Sequence, residues 1–170
     1  MMTTGATDRE NAVFQILDDL GAAYERIEID PEYADTAAFC EHYDYPLERS
    51  ANAIVVATKR GEKRYAACLA LATTRVDVNH TVRKLMDGKR LSFASPDEAK
   101  AVTGMEIGGV TPLNLPDDVP LFIDRAVMDI DWIIVGSGSR NSKIKLSPAI
   151  FEKIPSASVI DGLAAVPDPR

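Results

Sequence analysis

Histidine and cysteine are the scarcest chemistry-bearing residues among the 170, with two of each, and their positions exclude most metal and thiol chemistry. His42 and His80 stand far apart, and Cys40 and Cys68 fall in no ligand spacing, so no metal site is expected. Both cysteines read as buried, reduced thiols. Missing too is any window of ~20 apolar residues able to span a membrane, and Met1 to Asp8 lacks the basic and apolar regions of a secretion signal. The expectation is a cytoplasmic protein without membrane contact. No Ser-His-Asp, Cys-His or paired-carboxylate arrangement stands out, and the phosphate loop Gly-x-x-x-x-Gly-Lys-Ser/Thr is absent. Gly136-Ser137-Gly138 lacks the third glycine and the βαβ context of a dinucleotide site. No cofactor is expected.

What remains is a chain that is 46% hydrophobic, long enough for one buried core and too short for two comfortable domains, so residues 1–170 read as a single domain. The net charge of −7 argues against general affinity for nucleic acid, yet the charge is uneven: residues 1–49 hold twelve acidic and three basic side chains, and residues 58–90 hold nine basic against three acidic. A local basic face on an acidic protein can still meet phosphates. Solvated surface lysines and arginines would give the same pattern.

Residues 8–20 carry Val13, Ile16, Leu17 and Leu20 at helical spacing after a capping Thr7 and before Gly21, which predicts an amphipathic helix. Alternation over 24–29 predicts a half-buried strand, and Asp35-Thr36 opens a short helix over 37–43. Strands over 51–58 and 64–73, joined by the charged turn 59–63, read as an antiparallel pair. Asp77 is placed to cap a helix over 78–86 that ends before Gly88. A strand over 91–94 follows, then Ser95-Pro96-Asp97-Glu98, which joins an N-cap, a first-turn proline and a capping-box glutamate. Further strands are expected over 120–124, 132–135 and 143–146, with a last short helix over 149–153 and a frayed tail from Val166. Strands and helices do not alternate regularly, so the pattern is α+β, with a mixed, partly closed sheet and surrounding helices.

Glycine and proline are concentrated in one stretch, Gly104-Met105-Glu106-Ile107-Gly108-Gly109-Val110-Thr111-Pro112. A tight turn would explain it, and so would a loop whose bare backbone amides face a ligand. Gly108-Gly109-Val110-Thr111-Pro112-Leu113, preceded by Thr103-Gly104-Met105-Glu106, resembles the signature of the YbaK/prolyl-tRNA-synthetase-associated family of aminoacyl-tRNA deacylases. The likeness continues, in family order, through Leu91 to Glu98, Val119 to Asp124, Ile133 to Gly138 and Ile144 to Pro148.

The resemblance implies a YbaK-like fold and hydrolysis of mischarged tRNA. It also implies that the acceptor end of aminoacyl-tRNA is a partner, with an aminoacyl-tRNA synthetase as a further one. The tRNA's own terminal 2′-hydroxyl would attack the ester while the protein positions the aminoacyl-adenosine and stabilises the oxyanion, chemistry that needs donors rather than a protein nucleophile. Carried over, the catalytic positions are Asn52 with the backbone of Gly108 and Gly109. The substrate-contacting positions are Arg75, Asp77, Thr111, Pro112, Asp124, Gly136, Ser137 and Gly138. One departure bears on mechanism: the family's lysine sits just before the strand Ala53-Ile54-Val55-Val56, and Asn52 occupies its place. An amide donates hydrogen bonds but carries no charge. Lys59, Lys63 or Arg75 could supply the missing cation, Arg75 being the best placed in sequence. Three readings stay open: a trans-editing deacylase, a non-catalytic module binding aminoacyl-tRNA or aminoacyl-adenosine, and an unrelated small-molecule enzyme on the same fold.

Overall fold

The computed structural model describes residues 4–167. Helix α1 (Thr4–Asp19) begins ahead of the expected cap at Thr7, and it buries Val13 and Leu17, one turn apart, on the same face. Strand β1 (Tyr24–Glu28) follows, and then α2 (Thr36–Tyr43), whose end is set by Asp44 in a left-handed conformation.

The largest sheet has the order β5-β2-β3-β6-β9, with β2 (Ala51–Thr58), β3 (Tyr65–Leu71), β5 (Leu91–Phe93), β6 (Leu121–Asp124) and β9 (Ala157–Ile160). Strand β2 is antiparallel to β3 and β5, while β6 is parallel to β3 and β9. The predicted hairpin is present, pinned where the Thr58 hydroxyl donates to Glu62 O and accepts from Arg64 N, both at 2.9 Å. A second, antiparallel sheet sets β1 and β7 (Ile133–Gly136) on either side of β8 (Ser142–Leu146). A short pair, β4 (Arg75–Val76) with β10 (Ala164–Ala165), stands apart. The expectation of α+β with a mixed sheet holds, but the sheets do not close into a barrel. Among the described residues they meet at a single parallel bridge between Ser50 and Ile134.

Both faces of the large sheet are covered. Ala67 and Leu69 pack with Leu17, Leu121, Ile133, Ile144 and Phe151 between the two sheets and α1. The opposite face, with Val56, Ala66, Cys68 and Ala70, is closed by Val78, Val82, Met86 and Leu163. A smaller cluster of Ile27, Ile29, Phe39 and Ile134 lies beneath α2. The alanines of β3 are therefore packing positions, small enough for layers to approach from both sides.

The helix expected over 78–86 is a π-helical turn (Val78–Val82) running into α3 (Arg83–Met86). Helix α4 (Pro96–Thr103) starts as predicted, with Ser95 Oγ accepting from Glu98 N at 3.1 Å. Helix α5 (Arg125–Met128) links β6 to β7, and the segment expected as the last helix is 3₁₀ (Pro148–Lys153). The expected frayed tail falls partly outside the described residues; within them Val166 is exposed.

Leu17 is fully buried against the strands of both sheets. Leu17→Ala should cost ~2–5 kcal/mol of unfolding free energy in a urea titration. A loss under ~1 kcal/mol would mean that α1 is not part of the core.

Candidate active site

The bridge at Ser50 is where the two sheets separate, and a cavity of about 350 Å³ opens there. The start of β2 supplies Asn52, Ala53 and Ile54, β7 supplies Ile134 to Gly136, and the first turn of α2 supplies Thr36 and Phe39. Ile107, Gly108 and Val110 close one side, and Lys143 enters from β8. Apolar walls with a few convergent polar groups are the usual composition of a small-molecule site.

Asn52 is held by α2, since Thr36 Oγ1 donates to Asn52 Oδ1 at 2.6 Å. The amide oxygen is thus occupied, and the two Nδ2 hydrogens are its remaining donors. Lys143 is only 5% exposed. Its Nζ donates to Gly108 O at 2.8 Å and lies 5.7 Å from the centroid of the Phe39 ring. Burial pushes the ammonium from the ordinary lysine value down to about 8. The nearby Arg140 guanidinium adds to this, and Asp35 and Cys40 oppose it.

Two glycine loops form the floor backbone to backbone. Gly138 N donates to Gly109 O at 2.7 Å. A Cβ on Gly136 would collide with the Val110 carbonyl oxygen, and one on Gly109 with the Ser139 carbonyl. Gly108 adopts φ +86°, where a side chain would also strike Arg140 and Asp35. Arg140 then ties three segments together: Nη1 donates to Ile107 O at 2.6 Å and to Asp35 Oδ1 at 3.1 Å, and Nη2 donates to Pro31 O at 2.9 Å.

Of the residues singled out in the sequence, Asn52, Gly108 and Gly136 line this cavity. Among the described residues the Gly108 N–H has no hydrogen-bond partner, whereas Gly109 N is spent on Glu106 O at 2.8 Å. Gly109 and Gly138 therefore act as loop-packing positions. Ser137 is fully buried and fastens its own turn, with its hydroxyl donating to Ser142 O at 3.0 Å. Thr111 is fully buried and Pro112 is buried beside it, the Thr111 hydroxyl accepting from Leu113 N in a local turn. Arg75 and Asp77 do not reach the cavity. They lie with Phe93 along a separate depression by β4 and β10, where Asp77 accepts from the Thr81 hydroxyl at 3.0 Å. Asp124 is buried and accepts from Ala164 N at 3.3 Å, anchoring β10, and burial raises its carboxyl. Lys59 and Lys63 sit at the far end of β2, both beside Glu98.

Sequence reasoning missed Lys143, Thr36, Asp35 and Phe39. Asp35 and Thr36 were visible only as a helix start, and Lys143 only as the first residue of a strand whose Lys-Ile-Lys alternation does not say which lysine turns inward. Among the described residues no group of three His, Cys, Asp or Glu could hold a metal ion.

A family model for the aminoacyl-tRNA editing domain matches residues 30–154. The uncharacterised protein YwhH of Bacillus subtilis (strain 168) is 38% identical over 61 residues, which make up 36% of this chain and 39% of that protein. Two solved structures share the fold. Hypothetical protein APE2540 has a TM-score of 0.79 at 20% identity, over 91% of this chain and 99% of that one. A candidate trans-editing enzyme for prolyl tRNA synthetase has a TM-score of 0.74 at 18% identity, over 95% and 98% of the two chains.

The loop contact sets a measurable constraint. Gly136→Ala should cost about 1–3 kcal/mol, the usual range for forcing an extra methyl group into a closed site. Equilibrium denaturation that shows no loss would mean the two loops do not meet as described.

Proposed function

The chain belongs to the aminoacyl-tRNA editing domain family, and from that premise we propose that it is a trans-editing deacylase that releases the amino acid from mischarged tRNA. The observation that carries this reading is the cavity itself, lined by Asn52, whose Nδ2 donors remain free of Thr36, and by Gly108, whose N–H has no hydrogen-bond partner among the described residues. In the proposed reaction the aminoacyl group of the acceptor end enters the cavity. Attack by the terminal 2′-hydroxyl itself would only move the acyl group from O3′ to O2′, so water is the final acceptor, assisted by that hydroxyl. The water oxygen bonds to the carbonyl carbon, the carbonyl electron pair moves onto oxygen, and the bond to O3′ breaks as O3′ takes the proton. Asn52 and Gly108 donate to the developing oxyanion.

The size and walls of the cavity favour small, uncharged amino acids. A panel of mischarged tRNAs tests this: release above the buffer rate is expected for small, uncharged residues and not for aspartate or lysine, and it should fall when the terminal 2′-hydroxyl is removed. Asn52→Ala should lower the rate by ~100-fold, as loss of one oxyanion donor does elsewhere. A folded protein that deacylates none of the panel would end the enzymatic reading. The second reading, a module that binds aminoacyl-adenosine without turnover, draws on the amide at position 52 where a lysine is expected. It predicts binding of a non-hydrolysable aminoacyl-adenosine with no ester cleavage.

The acceptor stem is proposed to lie along the basic end of β2. There the 59–63 turn meets the segment after α3, with Lys59 N donating to Arg90 O at 2.7 Å. Lys84, Lys89 and Arg90 join no ion pair among the described residues. Strand rise puts this end roughly 20 Å from Asn52. Replacing Lys84, Lys89 and Arg90 together by alanine should raise KM, spare kcat and flatten the salt dependence by about one unit of slope per lost phosphate contact. Unchanged KM and salt slope would move the stem elsewhere.

A further inference from the structure

We propose that Lys143, entering the cavity from β8, is the catalytic cation that position 52 of β2 does not provide, its ammonium holding the ester carbonyl oxygen as that oxygen becomes an oxyanion. The inference rests on the deacylase reading and adds a residue to it. Among the described residues Lys143 is the one basic side chain in the cavity wall. Of its three N–H donors, one is accounted for by Gly108 O. It forms no ion pair with a carboxylate among the described residues, the nearby Asp35 being engaged by Arg140 at 3.1 Å. A buried ammonium without a counter-ion is costly, and an anion forming in the same cavity offsets that cost at the moment of reaction. The charge that catalysis needs is thus stored in the free protein as a deficit that the transition state relieves. The hydrogen bond to Gly108 O also ties Lys143, on β8, to the loop whose N–H is proposed to donate to the same oxygen.

The reaction remains the one given above: water adds to the carbonyl carbon, the electron pair moves onto the carbonyl oxygen, and the bond to O3′ breaks as O3′ is protonated. Lys143 donates a charge-assisted hydrogen bond and transfers no proton. The groups facing it are Arg140 from the β7–β8 turn, Asp35 ahead of α2 and Cys40 within α2. The ammonium is the active form and titrates at about 8, so the buffer-corrected rate should fall as pH rises through that value.

Lys143→Met keeps the length of the side chain and removes the charge. The expected result is a ~100- to 1,000-fold loss of kcat with little change in KM, together with disappearance of the alkaline limb near pH 8. Asn52→Lys in the Lys143→Met background should bring the rate back to within ~10-fold of the original, because it restores one charged donor to the same oxyanion. Two aminoacyl-adenosine analogues provide a readout independent of turnover. One carries an anionic phosphonate in place of the ester, the other a neutral amide. Lys143→Met should weaken the phosphonate by ~100-fold and leave the amide nearly unaffected.

Equal weakening of both analogues, or a kcat loss that the relocated lysine does not restore, would make Lys143 only an anchor for the Gly108 loop and overturn the proposal. An unchanged rate and pH profile would overturn it directly while leaving the deacylase reading intact. Wild-type protein that binds neither analogue and cleaves no ester would remove that reading and this inference with it.

Discussion

The contact on which the site depends is between two stretches of bare backbone. Gly138 N–H reaches Gly109 O at 2.7 Å, and the peptide planes on either side come close enough that a methyl group on Gly109 or Gly136 would overlap a carbonyl. Such an approach is open only where Cβ is missing. Once the loops are locked together, the 107–110 backbone has a fixed position relative to β7 and β8. Arg140 and Lys143 then find their acceptors at Ile107 O and Gly108 O. Without that contact each long side chain would have to order itself against a mobile partner, at the full cost of its rotamer entropy.

The location of the cavity follows from how the sheets meet. They share one bridge, Ser50 with Ile134, and beyond it the strands splay, so side chains and not a ladder must fill the seam. Polar groups around the β7–β8 turn are satisfied in pairs. Glu10 accepts from Arg26 at 2.9 Å and from the Ser139 hydroxyl, and the Ser137 and Ser142 hydroxyls bond each other at 2.8 Å. No buried side-chain nitrogen or oxygen among the described residues lacks a partner. Bonded neighbours hold the remaining donors of the cavity in place, in a setting of low dielectric where each hydrogen bond is worth more than in water. The same setting holds the Lys143 ammonium below its ordinary titration range.

Elements with strong local signals were legible. Helix α1 follows from its apolar stripe, α4 from Ser95-Pro96 with Glu98, and the β2–β3 hairpin from its charged turn. What escaped notice was short or non-local. Strands β4, β9 and β10 are two to four residues long and exist because an edge is waiting for them, with Ile123 pairing to Val159 and Val76 to Ala164. The π-helical turn at Val78 is likewise imposed from outside, since Asp77 N is held by Leu163 O at 2.8 Å, far along the chain. Family resemblance carried the site part of the way. It brought out Asn52, Gly108 and Gly136, which line the cavity, and also Ser137, Gly138 and Asp124, whose polar groups serve the fold.

By itself the sequence determined the class of fold, the glycine loops and the absence of a charge at position 52, because each of these is written in neighbouring residues through propensity, capping and motif order. Which cation shares the cavity with that amide was decided by tertiary structure alone. Arg75 is nearer to Asn52 along the chain, but its strand β4 pairs with β10 and points it to another depression. Lys143, ninety-one positions from Asn52, is brought to the cavity because β8 lies beside β7 and β7 bridges to Ser50, the residue just ahead of β2. Strand pairing sets such distances through backbone hydrogen bonds, which are the same for every side chain, so no local pattern of residue types records which strands will lie together.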